Sequence, residues 1–447
     1  MKKNKKGISN WELVIGALSL LLVIAFSSCT VNKQVSKAAT TILLKDSAVA
    51  TVHIGICIYE PATNKYWYNY NSSHYFIPAS NTKLFTLYAG MKYLGDSLPA
   101  AKIIEYADEI DVIATGDPTL LNSEYSFQPL YNYLVTTSKY IWMSPSGCQA
   151  NRLGKGWAWD DYNSDYMAER SALPVYGNLV TFYGKKDSIQ FYPKVNEIEK
   201  FTIHSIKTQH DFISNIQREI DKNIFDITLG ENQHNKVQVP FHTSEGLSFA
   251  LLSDTIKKRI GFFKDAYTNP IKIFTLHSQP TDSLFKPMMH RTDNFFAEQT
   301  LLMASNEYLG YMSDAKIIDT VLKTDLKDVP QRPKWVDGSG LSRYNLFTPQ
   351  SFVYILNKMK NEFGFERMKT ILPTGGEGTL NSYYKKEAGF IYAKTGTLSN
   401  NCALSGYLIT NKGKLLIFSI LTNNYISGAT PIRKAAERFL QGIREKY

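Results

Sequence analysis

The sequence is poor in cysteine, and its few cysteines and histidines suggest neither a disulfide framework nor a metal centre. Four of the 447 residues are cysteine and eight are histidine. If Cys29 serves another purpose, three cysteines remain, and three cannot form a fully paired set. The sequence has no HExxH pattern and no Cys or His pairs with zinc-ligand spacing, so we predict no metal site.

The charge balance gives little reason to expect nucleic-acid binding. Lys and Arg number 50 against 40 Asp and Glu, a formal net charge of +10. Apart from one dense run at the N-terminus the basic residues are scattered, whereas nucleic-acid-binding proteins concentrate them on one face. A basic surface can equally attract the acidic polymers of a cell envelope. We predict no nucleic-acid partner.

No apolar run in the sequence is long enough to cross a bilayer comfortably. The best candidate covers 14 residues, 13–26, and follows four lysines within the first six residues. A bilayer needs about 20 apolar residues, whereas this shorter pattern is typical of a signal peptide.

A cysteine at the end of this segment suggests a lipid anchor. The tripeptide Ser-Ser-Cys ending at Cys29 resembles a bacterial lipobox, although Phe26 stands where an aliphatic residue is usual. We predict a signal peptide over 1–28, acylation of Cys29, and a tether over 29–45 that leads from a membrane to the folded part. The alternatives are an ordinary cleaved signal with an incidental cysteine, or an uncleaved anchor.

Strand and helix patterns at the two ends of the chain indicate one shared α+β domain. Residues 52–59 and 65–70 have the composition of strands joined by a turn. Three more strand patterns lie near the C-terminus: 390–398, 403–410 and 414–424. A terminal helix follows, with Thr430 as its expected N-cap. Strands from both ends would form one antiparallel sheet with helices packed on it.

The middle of the chain has a different pattern. From 104 to 267, many short strand patterns alternate with turns rich in Gly, Asn and Asp. We interpret this region as one or more β-rich domains inserted into the α+β domain. The predicted division is 46–103 and 268–447 for the α+β domain and 104–267 for the insertion.

A serine and a lysine stand three residues apart where an apolar helical pattern begins. In the stretch YFIPASNTKLFTL, Ser80 and Lys83 would share one helix face, with Cβ atoms about 5–6 Å apart. Serine is a weak nucleophile unless a nearby base accepts its proton, and an amine at this distance could do so. The spacing alone is not specific, because it recurs three times: Ser283/Lys286, Ser313/Lys316 and Ser382/Lys385.

Two further motifs lie downstream of Ser80. A Thr-Asp-Asn triplet at 292–294 precedes a helical pattern, and a Lys-Thr-Gly triplet at 394–396 falls on a predicted strand. A glycine on that strand would let a ligand backbone approach closely. Ser-x-x-Lys, Ser-Asp-Asn and Lys-Thr-Gly together form the motif set of penicillin-binding proteins and β-lactamases.

In this order, the motifs resemble those of the class C low-molecular-mass penicillin-binding proteins, the D-alanyl-D-alanine carboxypeptidases/endopeptidases. The long gap of 212 positions between Ser80 and Thr292 is similar to the family's, which carries extra domains there. Four other stretches also resemble the family: GDPTL (116–120), WAWDDYNSDYMAERSALPVYGN (157–178), DGSGLSR (337–343) and LPTGGEGTL (372–380). The resemblance runs from about residue 46 to the last residue. It implies a penicillin-binding transpeptidase/β-lactamase-like fold.

The resemblance implies roles in acyl transfer for the first motif. Ser80 would attack the carbonyl between two D-alanines and form an acyl-enzyme. Lys83 would be the base, which requires a pKa lowered by burial or by a second cation such as Lys394. Backbone N–H groups of Ser80 and Thr397 would form the oxyanion hole.

It also implies roles for the other two motifs. Thr292 and Asn294 would relay protons and hold the substrate amide, although the family usually has serine at the position of Thr292. The added methyl group restricts χ1, so the relay role is left open. Lys394 and Thr395 would bind the substrate's terminal carboxylate, with Gly396 beside them.

The partners implied are peptidoglycan stem peptides as substrates, β-lactam antibiotics as covalent inhibitors, and a membrane through the lipid on Cys29. No cofactor is needed. A non-catalytic peptidoglycan-binding protein on the same fold, favoured by Thr292, and a serine β-lactamase or esterase remain as alternatives. We interpret DGSGLSR as a structural loop in which Asp337 caps local N–H groups, and GDPTL as a turn.

Overall fold

The computed structural model describes residues 31–144, 147–185, 188–194, 201–205, 213–229, 236–262, 269–426 and 428–447. The predicted signal peptide and Cys29 lie outside these ranges.

Sixteen strands occur in the described ranges. In chain order, β1 to β16 are His53–Glu60, Lys65–Tyr70, Ser97–Glu105, Glu109–Ala114, Tyr140–Ser144, Leu179–Lys185, Ser188–Tyr192, Phe201–Ser205, Ile213–Arg218, Phe225–Leu229, Lys236–Pro240, Ile260–Phe262, Lys272–Pro280, Ile391–Leu398, Asn401–Ile409 and Leu415–Asn423.

Ten α-helices occur in the same ranges. The first, α1, is described over 31–38 and continues as a π-helix over Ala39–Leu44. In chain order, α2 to α10 are Lys83–Tyr93, Pro129–Thr136, Glu245–Ile256, Thr281–His290, Asn294–Leu309, Asp314–Lys323, Pro349–Phe363, Phe365–Ile371 and Ala429–Lys446.

Strands from both ends of the chain form one five-stranded sheet, as predicted. Its order is β14-β15-β16-β1-β2, and every neighbouring pair is antiparallel. Strands β1, β15 and β16 are buried along almost their whole length, because helices cover both faces of the sheet. The predicted α+β fold is confirmed.

Helix α2 is the central helix of the domain. Every side chain from Lys83 to Met91 is buried, so the helix is enclosed on all sides rather than amphipathic. It packs against α6 and α8. Gly90 makes the approach to α6 possible, because a Cβ there would lie 2.7 Å from the methyl group of Thr300.

A second five-stranded sheet belongs to the middle of the chain, in the order β12-β5-β4-β3-β13. Two three-stranded sheets, β8-β10-β9 and β11-β6-β7, lie in the same region. The predicted limit at 103/104 falls inside β3, which pairs with β13 and not with the first sheet. Strand pattern alone does not show which sheet a strand joins.

The division into domains stays a prediction. The pairing of β3 with β13 would move the limits of the inserted region to about 96 and 281.

The segment predicted as a tether is folded where the structure describes it. Val35, Ala39 and Leu43 are buried among apolar residues of α10 and the first sheet, and the Tyr447 hydroxyl donates to Gln34 Oε1 at 2.9 Å. The prediction of a tether over 29–45 is therefore wrong for residues 31–44, because their apolar residues are spaced four apart and form a helix face that packs on the folded domain. No helix of the described ranges is long and apolar enough to span a membrane.

The last two long helices begin in different ways. Thr348 caps α8, with its hydroxyl accepting from Ser351 N at 3.1 Å. The terminal helix α10 begins at Ala429 after Gly428, so Thr430 lies inside its first turn and is not the N-cap.

Candidate active site

Ser80 and Lys83 are brought together at the start of α2. Ser80 lies in a 3-10 turn, Ala79–Thr82, which runs directly into the helix. Ala79 holds the left-handed backbone conformation (φ 47°), which is unusual for a residue with a side chain. Lys83 Nζ donates to Ser80 Oγ at 2.9 Å. The distance is that of a hydrogen bond and suits proton transfer between the two groups.

Two more oxygen atoms accept from the Lys83 ammonium. They are Asn294 Oδ1 at 2.6 Å and the carbonyl of Ser339 at 2.7 Å. The side chain is fully buried, and burial lowers the pKa of Lys83 to about 8 against the opposing effect of nearby carboxylates. Burial, not a second cation, is thus the cause of the lowered pKa that the base role requires.

Lys83 also distinguishes Ser80 from the other three serines with the same spacing. Lys286, Lys316 and Lys385 are all exposed. These three lysines therefore lack the burial that distinguishes Lys83.

Thr292 sits at the end of α5, just before α6, with a strained backbone. Its φ of 62° is rare for a β-branched residue. Its Oγ1 is buried and has no hydrogen-bond partner. Strain and an unpaired buried hydroxyl both carry a cost, and such features are common at functional sites.

The third motif lies on the edge strand β14, which faces the Ser80 turn. A Cβ on Gly396 would lie 2.6 Å from the Pro78 carbonyl and 3.0 Å from Ser80 N. The glycine therefore allows β14 to approach the protein's own Ala79–Thr82 turn. The sequence pattern predicts a different neighbour for this glycine, a ligand backbone.

The Lys394 side chain is fully buried but has few partners. Its Nζ donates to the carbonyl of Thr395 at 2.8 Å. Burial, together with the positive charges of Lys83 and Arg433, holds the pKa of Lys394 well below its usual value. No carboxylate lies within 4.0 Å of this ammonium in the described ranges. A negatively charged ligand would relieve this imbalance.

Threonine hydroxyls line the same strand. Thr395 Oγ1 donates to Thr379 Oγ1 at 2.7 Å, which connects β14 to the LPTGGEGTL stretch. Thr397 is exposed, and its hydroxyl accepts from Arg433 of α10. Arg433 therefore adds a second cation next to Lys394, and no motif in the sequence indicates its role.

The loop 337–343 contributes more than the structural role that we assigned to it. Asp337 is buried and accepts from the backbone N–H groups of Gly340 and Ser342 at 2.9 and 2.6 Å, as expected of a capping residue. The loop also presents the Ser339 carbonyl to Lys83. Gly340 is required there, since a Cβ would lie 2.0 Å from the carbonyl of Ala79.

Behind this loop lies a buried group of charges. Glu298 of α6 accepts from Ser339 N at 2.7 Å and pairs with Arg170 at 3.3 Å. Burial and the neighbouring Asp337 raise the pKa of Glu298 to about 7, although Arg170 acts against them. Arg170 also pairs with Asp314. The signals for Glu298 and Arg170 were absent from the sequence, because a single Glu or Arg in a helical or loop pattern is usually exposed.

The inserted region contacts the site as well. Asn294 Nδ2 donates to the carbonyl of Tyr166 at 2.9 Å, and Trp157 Nε1 donates to Asp337 Oδ2 at 2.9 Å. Trp159, close in sequence, is 75% exposed. The stretch 157–166 thus forms one rim of the site. No cluster of three or more His, Cys, Asp or Glu suited to a metal ion occurs among the described residues.

A Ser–Lys pair at the start of a buried helix, facing a Lys-Thr-Gly strand of an antiparallel sheet, defines the class of penicillin-recognising serine enzymes. The chain belongs to the D-Ala-D-Ala carboxypeptidase 3 (S13) family, whose model matches residues 36–441. The predicted family and enzyme class, a serine-type carboxypeptidase, are confirmed.

Relatives of similar length share this assignment. The D-alanyl-D-alanine carboxypeptidase DacB of Haemophilus influenzae is 23% identical over an alignment of 434 residues, which covers 85% of this chain and 87% of the DacB chain. The D-alanyl-D-alanine carboxypeptidase of Actinomadura sp. is 24% identical over an alignment of 449 residues, which covers 87% of this chain and 81% of that protein. The crystal structure of penicillin binding protein 4 from Haemophilus influenzae has the same fold. Its TM-score is 0.73 at 19% identity, with 92% of this chain and 99% of that one covered.

Proposed function

We propose that this chain hydrolyses D-alanyl-D-alanine bonds of peptidoglycan stem peptides through an acyl-enzyme on Ser80. The observation that supports this most strongly is the buried Lys83 ammonium, 2.9 Å from Ser80 Oγ and with its pKa lowered to about 8. Such an amine is partly unprotonated near neutral pH and can accept the serine proton.

The geometry supports the following order of steps. Lys83 takes the proton of Ser80 Oγ as this oxygen attacks the carbonyl carbon of the penultimate D-alanine. The tetrahedral intermediate collapses when the C–N bond breaks and the leaving amine receives the proton that Lys83 took from Ser80. A water molecule then attacks the ester carbonyl and gives one proton to Lys83, which passes it to Ser80 Oγ as the C–O bond breaks and the shortened peptide leaves. Backbone N–H groups of Ser80 and Thr397 would stabilise the oxyanion.

The substrate's terminal carboxylate would bind at β14. Lys394 and Arg433 place positive charge there, and the Thr397 hydroxyl, which accepts from Arg433, has its own proton to donate. The Thr395 hydroxyl would donate to the carboxylate after turning away from Thr379. Charge-assisted hydrogen bonds to a carboxylate are stronger than neutral ones. β-Lactams would occupy the same place, since they carry a carboxylate beside an acylating amide. One solved structure of the similar Haemophilus protein is described as a complex with a β-lactam.

The test is to incubate the purified protein with a peptide ending in D-alanyl-D-alanine and to measure released D-alanine. Wild-type protein should release it, and Ser80→Ala should not. Digesting cross-linked peptidoglycan in parallel would show whether cross-links are also cut. Absence of release by the folded wild-type protein contradicts the proposal.

A non-catalytic peptidoglycan-binding protein is the second candidate, because Thr292 occupies the usual serine position with a strained backbone and an unpartnered hydroxyl. Labelling with a fluorescent penicillin distinguishes the candidate functions. A stable label indicates the peptidase, absence of label indicates the binding protein, and rapid turnover indicates a β-lactamase.

We also propose that the protein is exported and held at a membrane by a lipid on Cys29. The order of lysines, short apolar run and Ser-Ser-Cys supports this. Cys29→Ser should move the protein out of the lipid-modified membrane fraction. A mature wild-type terminus without an acyl chain, measured by mass spectrometry, would contradict it.

A further inference from the structure

The outer side of α1 carries two lysines among small polar side chains. Lys33 and Lys37 are four residues apart, so they share one side of the helix. They line a shallow surface depression together with amide and hydroxyl groups, those of Asn32, Ser36, Thr40 and Thr41. The opposite side of α1 is apolar and packs on α10 and the first sheet, so the basic side faces outward.

Two further lysines lie at the same end of the domain. Lys412 Nζ lies 5.7 Å and Lys446 Nζ 6.0 Å from the centre of the Tyr447 ring. The Tyr447 hydroxyl donates to Gln34 of α1 at 2.9 Å, and this contact places both lysines beside the first turn of α1. These two lysines and the two lysines of α1 form a surface that we call the basic face.

The charges of the basic face are not balanced by neighbouring carboxylates. All four lysines are exposed, and within the described ranges none of their ammonium groups has a carboxylate within 4.0 Å. Glu445 adds one exposed carboxylate next to Lys446, whereas Asp46 is paired with Arg438. The side chains therefore place four positive charges against one negative charge, and such a surface attracts an acidic partner.

The basic face lies close in the chain to the proposed lipid site. Cys29 is two positions before Val31, and consecutive Cα atoms are about 3.8 Å apart, so the two Cα atoms lie within about 8 Å of one another. Val31 is half-buried against the apolar residues shared by α1, α10 and the first sheet. A lipid on Cys29 would therefore bring the start of α1, and the basic face around it, to the surface of a bilayer.

We propose that the basic face is a docking surface for a membrane with anionic phospholipid headgroups. The inference rests on the proposed lipid on Cys29, which would hold this face against the bilayer. Clusters of basic residues next to a membrane anchor bind anionic headgroups. Phosphate oxygens of the lipids would accept from the four ammonium groups, and the hydroxyls of the α1 depression would donate further hydrogen bonds.

Docking at this face would keep the reacting residues clear of the headgroups. Lys412 lies in the turn between β15 and β16, at the end of the sheet where β14 begins with Ile391. Gly396, which packs on the turn that carries Ser80, is five residues further along β14. Because a strand rises about 3.3 Å per residue, Gly396 lies about 17 Å from that end of the sheet.

The first experiment uses the wild-type full chain and measures which lysines a membrane covers. The protein is mixed with vesicles of phosphatidylcholine and phosphatidylglycerol, or of phosphatidylcholine alone, and its amines are acetylated by a water-soluble reagent. Mass spectrometry then measures the modification of each lysine. The four lysines of the basic face should be protected on the anionic vesicles, whereas exposed lysines elsewhere should react equally with both kinds of vesicle. Equal reactivity of the basic face in both would overturn the proposal.

The second experiment removes the lysines in a full chain that cannot be lipidated. In the Cys29→Ser chain, binding to the anionic vesicles reports on the protein itself, and the apolar segment 13–26 is common to every variant. Replacing the four lysines of the basic face by glutamine should weaken this binding by roughly fivefold per lysine at low salt. The effect should be smaller at high salt, because exposed charges are screened.

The matched control replaces four other exposed lysines by glutamine in the same Cys29→Ser chain. They lie on β3, α5, α7 and the segment after α7: Lys102, Lys286, Lys316 and Lys327. The control lowers the net charge by the same amount and should bind as the Cys29→Ser chain does. Equal weakening by both sets would show that net charge alone causes the attraction, and the proposal would be overturned.

The outcomes separate this inference from the proposals on which it rests. An acylated terminus combined with unprotected lysines on anionic vesicles contradicts the docking surface and leaves the lipid in place. A terminus without an acyl chain contradicts the lipid, while the two vesicle experiments still decide whether the basic face binds anionic headgroups. The basic-face variant should cleave a soluble peptide ending in D-alanyl-D-alanine at the wild-type rate, which shows that the variant is folded.

Discussion

Lys83 and Lys394 are two fully buried lysines of the site, and their surroundings differ. Lys83 has three hydrogen-bond acceptors, Ser80 Oγ, Asn294 Oδ1 and the Ser339 carbonyl, and carboxylates lie behind it. Lys394 bonds to the carbonyl of Thr395, and its charged neighbours are cations. The same side chain is therefore placed in two electrostatic environments on adjoining elements.

The difference shows how one site can use lysine in two ways. The acceptors around Lys83 fix its ammonium beside Ser80 Oγ, while burial keeps the pKa within reach of neutral pH. The excess of positive charge around Lys394 makes that place a receptor for a negative ligand. We expect substitution at Lys83 to affect the chemical step and substitution at Lys394 to affect substrate binding.

The largest effect is expected for Lys83→Met, which keeps the length of the side chain and removes the base. Acylation by a fluorescent penicillin should fall by about 10²–10⁴-fold, the usual range for a general base. Stopped-flow labelling would measure it. Lys286→Met is the control, since that lysine follows Ser283 with the same spacing but is exposed. Acylation by Lys83→Met within threefold of wild type would remove Lys83 from the role of base.

Substitutions at Thr292 test whether its hydroxyl relays protons during acylation. Thr292→Val keeps the β-branched shape and removes the oxygen, so acylation by a peptide substrate should fall by about 10²–10⁴-fold if the hydroxyl relays protons. Thr292→Ser keeps the oxygen and should remain within about tenfold of wild type or exceed it. If Thr292→Val acylates at the wild-type rate, Thr292 is structural and another group protonates the leaving amine.

Lys394→Met should mainly weaken binding. A hydrogen bond to a charged group contributes about 1.5–3 kcal/mol, so KM for a peptide with a free terminal carboxylate should rise by roughly 10- to 150-fold. KM for the same peptide with a terminal amide should rise much less. Steady-state kinetics on both peptides would check this. A variant that still discriminates between them would show that Arg433 or another group carries the recognition.

The smallest effect concerns Glu298, whose charge raises the pKa of Lys83. Glu298→Gln removes that charge, so the pKa of Lys83 should fall and the rise of acylation rate with pH should move to lower pH. The pKa of Glu298 itself is about 7, so the difference from wild type should be clearest above pH 7. Asp314→Asn is the control, because it changes the same Arg170 cluster without contacting Ser339. If Glu298→Gln leaves the pH dependence of the acylation rate unchanged, this account of Glu298 is contradicted.

Sequence patterns predicted the parts of the site that depend on local order. The Ser-x-x-Lys spacing, the Lys-Thr-Gly strand and the antiparallel sheet all follow from short-range periodicity, and each motif is recognisable over a few residues. The three motifs meet because β14 packs on the Ala79–Thr82 turn, α2 packs on α6, and Lys83 donates to Asn294 at the start of α6. The resemblance implied this meeting, and the structure displays it.

The parts that were missed depend on contacts between distant segments. The Ser339 and Tyr166 carbonyls that touch the Lys83–Asn294 pair are backbone atoms, and no residue type marks them in a sequence. Arg433 and Glu298 are charged residues on helices, where solvent exposure is the ordinary expectation. The predicted tether failed for a related reason: residues 31–44 are helical because α10 and the first sheet cover their apolar face.

The most direct test of the whole account is to locate the covalent adduct of a β-lactam on the protein. Wild-type protein, treated with fluorescent penicillin and digested, should carry the label on the peptide that contains Ser80. Ser80→Ala should lose it, while Ser283→Ala, Ser313→Ala and Ser382→Ala should retain it. A label that persists in Ser80→Ala, or that maps to another residue in the wild type, would contradict the assignment of Ser80 and Lys83 as the reacting pair.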